Sequence, residues 1–301
     1  NIIGVATAVI CGGSGAIFWM WLSAFLGGAS AFIESTLAQI YKKKNADGSS
    51  YGGPAFYMRD ALNARWLGVI FSVLIIFTYA IGYNMLAAFN LQSTFQVFSF
   101  YGDRTPAIIG VILAALFGAV VIGGAHRLVK VTGVLVPVMG IIYVAISLIV
   151  LVLNIGNIPA MFAGIFKNAF DFQAIFGGFA GSCIMFGIKR GLYSNEAGMG
   201  SAPNAAATAD GSHPVKQGLV QMLSVFIDTM LICTATAFMC LSTNIIPQNY
   251  LGADGSADAA GYVQAATAST LGKFGPIFIA FAMCLFAFTT LIGNYSYCEG
   301  C

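Results

Sequence analysis

Long apolar runs separated by short polar ones govern how this chain reads. Seven stretches predict helical spans, at about 17–41, 66–98, 107–124, 131–153, 172–190, 216–242 and 274–297. None alternates with a period of two, so helices are expected rather than a β-barrel. Residues 1–11 read as the end of a further apolar helix, closed by a turn at Gly12, Gly13 and Gly15. The chain opens inside that run and stops just after its last span, the pattern of a fragment cut at both ends. Trp19 and Trp21 stand near the start of the first span, where interfacial aromatics belong, and Lys42, Lys43 and Lys44 stop it. Residues 45–53 read as a polar Gly-Ser loop, 54–64 as an amphipathic lead-in with Arg59, Asp60 and Arg65, and 101–106 as a tight turn. Pro137 predicts a kink inside the fourth span. Residues 154–170 read as an irregular connector, 194–215 as a long polar loop, and 243–272 as a large loop rich in Gly, Ala and Asp.

One stretch, 176–203, stands apart: FGGFAGSCIMFGIKRGLYSNEAGMGSAP. Gly177, Gly178 and Gly181 fall within five residues of an apolar run, which then leaves the membrane through Lys189 and Arg190. Gly in a helix interior costs about 1 kcal/mol against Ala, so the cluster suggests a break. A break in a membrane frees backbone N–H and C=O groups, which in secondary transporters meet the substrate and its coupling ion. Close packing of the small-xxx-small kind accounts equally well for Gly177 and Gly181.

Composition fixes the class. The chain is 58% apolar and only 8% charged, with a mean hydropathy of +0.85, against about 25% charged residues in soluble domains. It is therefore an all-α polytopic membrane protein. The net charge of +2 matters less than its distribution. Alternating the spans puts Lys42, Lys43, Lys44, Arg59, Arg65, Arg127, Lys130, Lys189, Arg190 and Lys216 on one face, ten of the 13 Lys and Arg. Arg104, Lys167 and Lys273 fall on the other. The positive-inside rule makes the first face, with loops 42–65, 125–130 and 191–215, cytoplasmic. The seven cysteines are scattered, and the lone C-x-x-C of Cys298 and Cys301 has no second pair or nearby His to make a zinc site.

Polar residues inside the spans carry the chemistry. Glu34 and Asp228 are costly there and read either as an ion or proton pathway or as hydrogen-bonded structural groups. Asn84 and Asn90 line a pathway or bridge helices. His126 and His213 lie at helix ends and read as interfacial, and the pairs Thr234/Thr236 and Thr267/Thr270 as packing or loop residues. Thr289 and Thr290 sit mid-span, with Asn294 one turn beyond Thr290 on the same face. Their hydroxyls either bond back to carbonyls one turn earlier or offer hard oxygen ligands to Na⁺. A membrane-embedded enzyme would need a paired catalytic constellation, and a channel a ring-forming filter segment; neither pattern is visible, so no enzymatic activity is expected.

The runs NIIGVATA, GGSGAIFWMW, GGPAFYM, KRGLYSNEAGMGSAP, HPVKQGLVQMLSVFIDT and FAFTT resemble the alanine or glycine:cation symporter family, the sodium:alanine symporters. The likeness covers essentially the whole chain. It implies a leucine-transporter-type fold with two inverted five-helix repeats and broken helices one and six. The substrate would meet Asn1 and Ile2 from helix one and Gly177, Gly178, Phe179 and Gly181 from helix six, with Asn84, Thr290 and Asn294 also facing it. Thr289 and Thr290 would hold Na⁺, and no other cofactor is implied. Two positions depart from the family pattern as we read it: Asn294 stands where relatives carry Trp, and Ala87, one turn along from Asn84, where they carry Gln. By the resemblance both positions face the expected substrate, and Asn294 would enlarge the pocket and add a donor and an acceptor. The expected function is Na⁺-coupled symport of small neutral amino acids, alanine and/or glycine, across a plasma membrane of the bacterial inner-membrane type. The alternatives are proton coupling through Glu34 or Asp228, and a different neutral substrate such as glutamine or serine.

Overall fold

The computed structural model describes residues 1–46, 48–171 and 180–300. Among them the chain is almost wholly helical. Helix α1 (Ile3–Gly12) turns through Gly13, at φ +74°, into α2 (Ala16–Ile40). A two-stranded hairpin pairs Lys43 with Tyr51 and Lys44 with Ser50. The short α3 (Pro54–Ala61) leads into α4 (Arg65–Ser93), which passes through a π-helical segment, Phe77–Tyr83. Next come α5 (Thr105–Val121), α6 (Gly124–Leu153), α7 (Ile158–Ala169), α8 (Ala180–Asn195) and α9 (Ser201–Thr208). Helix α10 (Pro214–Leu241) contains a second π segment, Ile227–Cys233, and α11 (Ala259–Leu271) and α12 (Phe274–Glu299) complete the order.

Five helices, α2, α4, α6 from Leu128 onward, α10 and α12, are long and apolar enough to cross a membrane. Helix α5 is apolar but has 17 residues, a rise of about 26 Å. The start of the expected 172–190 span lies outside the described residues. Residues such as Val69 and Val73 of α4, Val111 of α5 and Ile141 of α6 are exposed, as lipid-facing positions are.

Three expected connectors are helices instead. Residues 154–170 hold α7, which carries Pro159 in its first turn and buries one face, Met161, Ile165 and Ala169. The 243–272 stretch holds α11, capped by the Asp258 carboxylate accepting from Gly261 N at 2.9 Å. Its Ala, Gly and Thr residues look loop-like in sequence but let it sit buried on nearly all sides. Residues 194–215 hold the end of α8 and all of α9.

The contacts divide into two compact units. The first comprises Asn1–Ser23, Ala87–Ser194 and Thr229–Thr289. Its centre is α1, buried through Val5, Ala6, Ala8, Val9 and Ile10 and packed on α11. Helices α6 and α10 are tied by Tyr143 Oη to Thr236 Oγ1 at 2.7 Å and by Ser147 Oγ donating to Ala235 O at 2.8 Å. Trp19 Nε1 donates to Ala169 O at 3.2 Å, fixing α7 to the start of α2. Helix α8 lies so close to α2 that a Cβ on Gly187 would come 2.5 Å from Ala16 O, and one on Gly191 would strike Ser23 Oγ. The small-xxx-small contact is thus at Gly187 and Gly191.

That contact bears on the helix exit expected at Lys189 and Arg190. Lys189 and Arg190 lie between those two glycines, beside the first turns of α2, whereas Lys42–Lys44 follow its last turn. Helix α8 does not end there; it runs on to Asn195.

The second unit comprises Ala24–Leu86, Asn195–Asp228 and Thr290–Cys301. Helix α3 packs on α4 with Gly68 close to Ala55 O. Asp60 binds Arg59 at 2.6 Å and Lys43 at 2.7 Å. Those two cations, Arg59 foremost, hold its carboxyl well below the usual carboxylate range. Gln39 Nε2 donates to the carbonyls of Ala206 and Ala209, and Lys42 Nζ to Ala209 O at 2.9 Å, so the end of α9 lies beside the end of α2.

Candidate functional site: a helix interrupted at 196–200

Between α8 and α9 the chain leaves helical geometry for five residues, Glu196 to Gly200. Three of them, Glu196 (φ +55°), Gly198 (+76°) and Gly200 (+84°), are in the left-handed region. Glycine takes that conformation freely; a glutamate does so at a cost of about 1–2 kcal/mol. Asn195 helps to end α8, its Oδ1 accepting from Ala197 N at 3.1 Å. Ala197 packs on Gly27, near the middle of α2, so the interruption stands at mid-span. Gly198 is exposed while Asn195, Ala197, Gly200 and Ser201 are buried.

The freed backbone groups are met by carboxylates. Glu34, 9% exposed, reaches from α2 and accepts from Gly198 N at 3.1 Å and from Gly200 N. Glu196 Oε2 accepts from Ser201 Oγ at 2.6 Å, and the Tyr297 hydroxyl also bonds Glu196. Asp228, at the start of the π segment of α10, acts electrostatically on the same carboxyl. Tyr79, 1% exposed, stacks edge-on against Tyr83 at 4.7 Å and Tyr297 at 5.3 Å between ring centres. In the same unit Asn294 Nδ2 donates to Asn84 Oδ1 at 2.7 Å, and Asn84 Nδ2 donates to Ala80 O at 3.1 Å, inside the π segment of α4. Asn294 is 1% exposed.

The first unit holds Asn1, Ile2 and Thr289. Asn1 Oδ1 accepts from the Ser194 hydroxyl, and Asn1 O accepts from Thr236 Oγ1 at 3.1 Å; Ile2 is buried. Thr289 Oγ1 donates back to Leu285 O at 2.9 Å and Phe286 O at 3.1 Å, the first of the two geometries considered for it. Its lone pairs are left for another partner. Thr290, the first residue of the second unit's share of α12, is exposed.

Gly177, Gly178 and Phe179 lie outside the described residues. Gly181 is inside α8, well before the interruption. Sequence reasoning missed Glu196, Ser201, Tyr79 and Tyr297. A signal was available: N-x-x-G-x-x-[ST]-A occurs at 1–8 (NIIGVATA) and again at 195–202 (NEAGMGSA). Each copy stands at the entrance of a helix, α1 and α9.

A family model described as the sodium:alanine symporter family matches residues 1–301. The amino-acid carrier protein AlsT of Bacillus subtilis is 45% identical over 300 residues, 99% of this chain and 62% of AlsT. The same organism's "Probable sodium/glutamine symporter GlnT" is 45% identical over 299 residues, 99% of this chain and 60% of GlnT. The sodium/alanine symporter AgcS of Methanococcus maripaludis is 38% identical over 309 residues, covering 100% of this chain and 66% of AgcS. The chain thus spans about three-fifths of the length of AlsT and GlnT and about two-thirds of AgcS. It belongs to the sodium:alanine symporter family.

Proposed function

We propose that the transporter containing this chain carries small neutral amino acids into the cell with Na⁺, by alternating access across a plasma membrane. The observation that carries this is the helix interrupted at mid-span, with backbone N–H groups and polar side chains gathered where an apolar span would otherwise continue. Interrupted helices at the midplane are how secondary transporters hold substrate and ion. The repeated N-x-x-G-x-x-[ST]-A run supports two related broken helices and hence the leucine-transporter-type fold. The helix-six share of the substrate site is 195–200 rather than 177–181. The family resemblance gives Asn1 and Ile2 the helix-one role, and within the second unit Asn84 with Asn294 bounds the side-chain pocket. Thr289 and Thr290 give Na⁺ its hydroxyl oxygens.

Substrate size follows from the pocket wall. One methyl is worth about 1–3 kcal/mol of discrimination, which separates alanine from glycine only weakly. An amide pair of the buried Asn294 and the half-buried Asn84 is instead suited to a polar side chain, and a relative named as a probable sodium/glutamine symporter favours glutamine as the second candidate.

The test is uptake of labelled L-alanine and L-glutamine by the full-length protein in proteoliposomes, with an inward Na⁺ gradient or with K⁺ in its place. Uptake of either that requires Na⁺ is the expected result. Uptake driven by a pH gradient and indifferent to Na⁺ would reject Na⁺ coupling and leave the buried carboxyls as the coupling groups.

A further inference from the structure

We infer that Glu34 is a positioning residue: a built-in anion seated on the backbone N–H groups of Gly198 and Gly200, which holds 196–200 in its non-helical form. The inference deepens the reading that this stretch lines the transport site.

Five residues between two helices have an obvious alternative, which is to continue the helix. Their N–H groups would then bond to carbonyls four residues earlier. What the observed form needs in exchange is an acceptor for the N–H groups that point away from the chain's own carbonyls. Left-handed glycines in succession with other residues turn neighbouring N–H groups toward one point, a concavity that binds anions. Glu34 fills that role from α2, accepting from Gly198 N at 3.1 Å and from Gly200 N. Its reach is set by close packing on either side. A Cβ on Gly198 would lie 3.2 Å from Ser30 Oγ, and one on Gly200 would lie 2.5 Å from Phe71. Tyr57 and Tyr79 are ionisable side chains that face Glu34, and Asp228 and Tyr297 reach the stretch through Glu196. Among the described residues neither Glu34 nor Glu196 forms a salt bridge; both bridges found involve Asp60. A carboxylate kept within a span without a counter-cation, yet with backbone donors upon it, has a task other than an ordinary ion pair.

The consequence is a split between affinity and turnover. If the binding form of 196–200 is populated only in part, apparent affinity falls by that fraction. Glu34→Gln keeps one acceptor oxygen and turns an NH₂ toward the second N–H. It is expected to raise the KM for labelled L-alanine, or for L-glutamine if that is the substrate carried, about tenfold, the equivalent of about 1.4 kcal/mol. The Na⁺ concentration for half-maximal uptake and the pH profile should stay as in the wild type. Gly198→Ala, which must take φ +76° and crowd Ser30, should act in the same direction. The double variant should be no worse than the worse single, because both act on one element.

The experiment is uptake by the full-length protein in proteoliposomes for wild type, Glu34→Gln, Glu34→Asp and Gly198→Ala. It is paired with hydrogen exchange of the 196–200 amides in detergent. Faster exchange at Gly198 and Gly200 in Glu34→Gln, with a raised KM, is the expected result. Wild-type exchange in that variant would overturn the inference whether or not either amino acid is transported. So would an unchanged KM with a shifted Na⁺ or pH dependence, which would make Glu34 a ligand of the coupling ion. Should Glu34→Gln fail to reach the membrane, Gly198→Ala and Glu34→Asp decide by the same readouts, and wild-type values in both overturn it. Failure of the function itself shows separately, as no Na⁺-dependent uptake of either amino acid by the wild type.

Discussion

Thr289 shows how much one hydroxyl can leave open. Its proton is spent on Leu285 O and Phe286 O, which is what a threonine in any apolar helix does. An Na⁺ ligand needs only the oxygen, so the two roles are compatible. Replacing Thr289 and Thr290 together with Val keeps the shape and removes both oxygens. That variant should raise the Na⁺ concentration for half-maximal uptake about tenfold, a change of about 1.4 kcal/mol, with the amino-acid KM measured at saturating Na⁺ little moved. Unchanged Na⁺ dependence would place the ion elsewhere. Glu34 was legible as a residue because a carboxylate inside an apolar run is conspicuous. Glu196 was not, because its polar neighbours make it look like the start of a solvent loop. Its surroundings come from Ser201, Tyr297 and Tyr79, supplied by α9, α12 and α4, and no local window of sequence contains all four.

At the scale of elements, the long spans were legible because an unbroken apolar run can be little else. Helices α7 and α11 were not, since one mixes Pro, Gly and Asn into its apolar face and the other is built from Ala, Gly and Thr. Their helicity is secured by burial rather than by pattern, and by the Asp258 cap in α11. Gly177 and Gly178 lie outside the described residues, and the glycines in close or left-handed positions come later in the same stretch. Gly187 and Gly191 pack on α2, and the interruption uses Gly198 and Gly200. This predicts opposite outcomes for two glycine substitutions. Gly191→Leu drives a side chain into Ser23 and Met20 and should lower the melting temperature in detergent, by the 1–3 kcal/mol typical of overpacking or about that much. Gly118→Ala in α5 meets open space and should be neutral or stabilising, by up to about 1 kcal/mol. Equal effects at both positions would mean that α8 and α2 are not in close contact.

For the whole molecule, charge and hydropathy were enough to say membrane protein. What composition could not supply was that Lys189 and Arg190 stand within a helix that runs on to Asn195 and packs on the first turns of α2. A labelling experiment separates the two placements. In a cysteine-free background, Lys189→Cys should not react from the cytoplasmic side with a charged thiol reagent, whereas Lys43→Cys should. Cytoplasmic reaction at both would restore the exit at Lys189 and Arg190.

The contacts along the second half of α2 also work as a ruler. Gly27 meets Ala197, Ser30 meets Gly198, and Gln39 and Lys42 meet Ala206 and Ala209. From Gly27 to Gln39 the helix uses three more residues than its partner needs from Ala197 to Ala206, because left-handed and extended residues cover more length than helical ones. Each residue of the interruption is therefore counted against α2. Natural variation should respect that count: insertions and deletions belong in the turn at 209–213, while the stretch from Asn195 to Ser201 should change its letters but never its length.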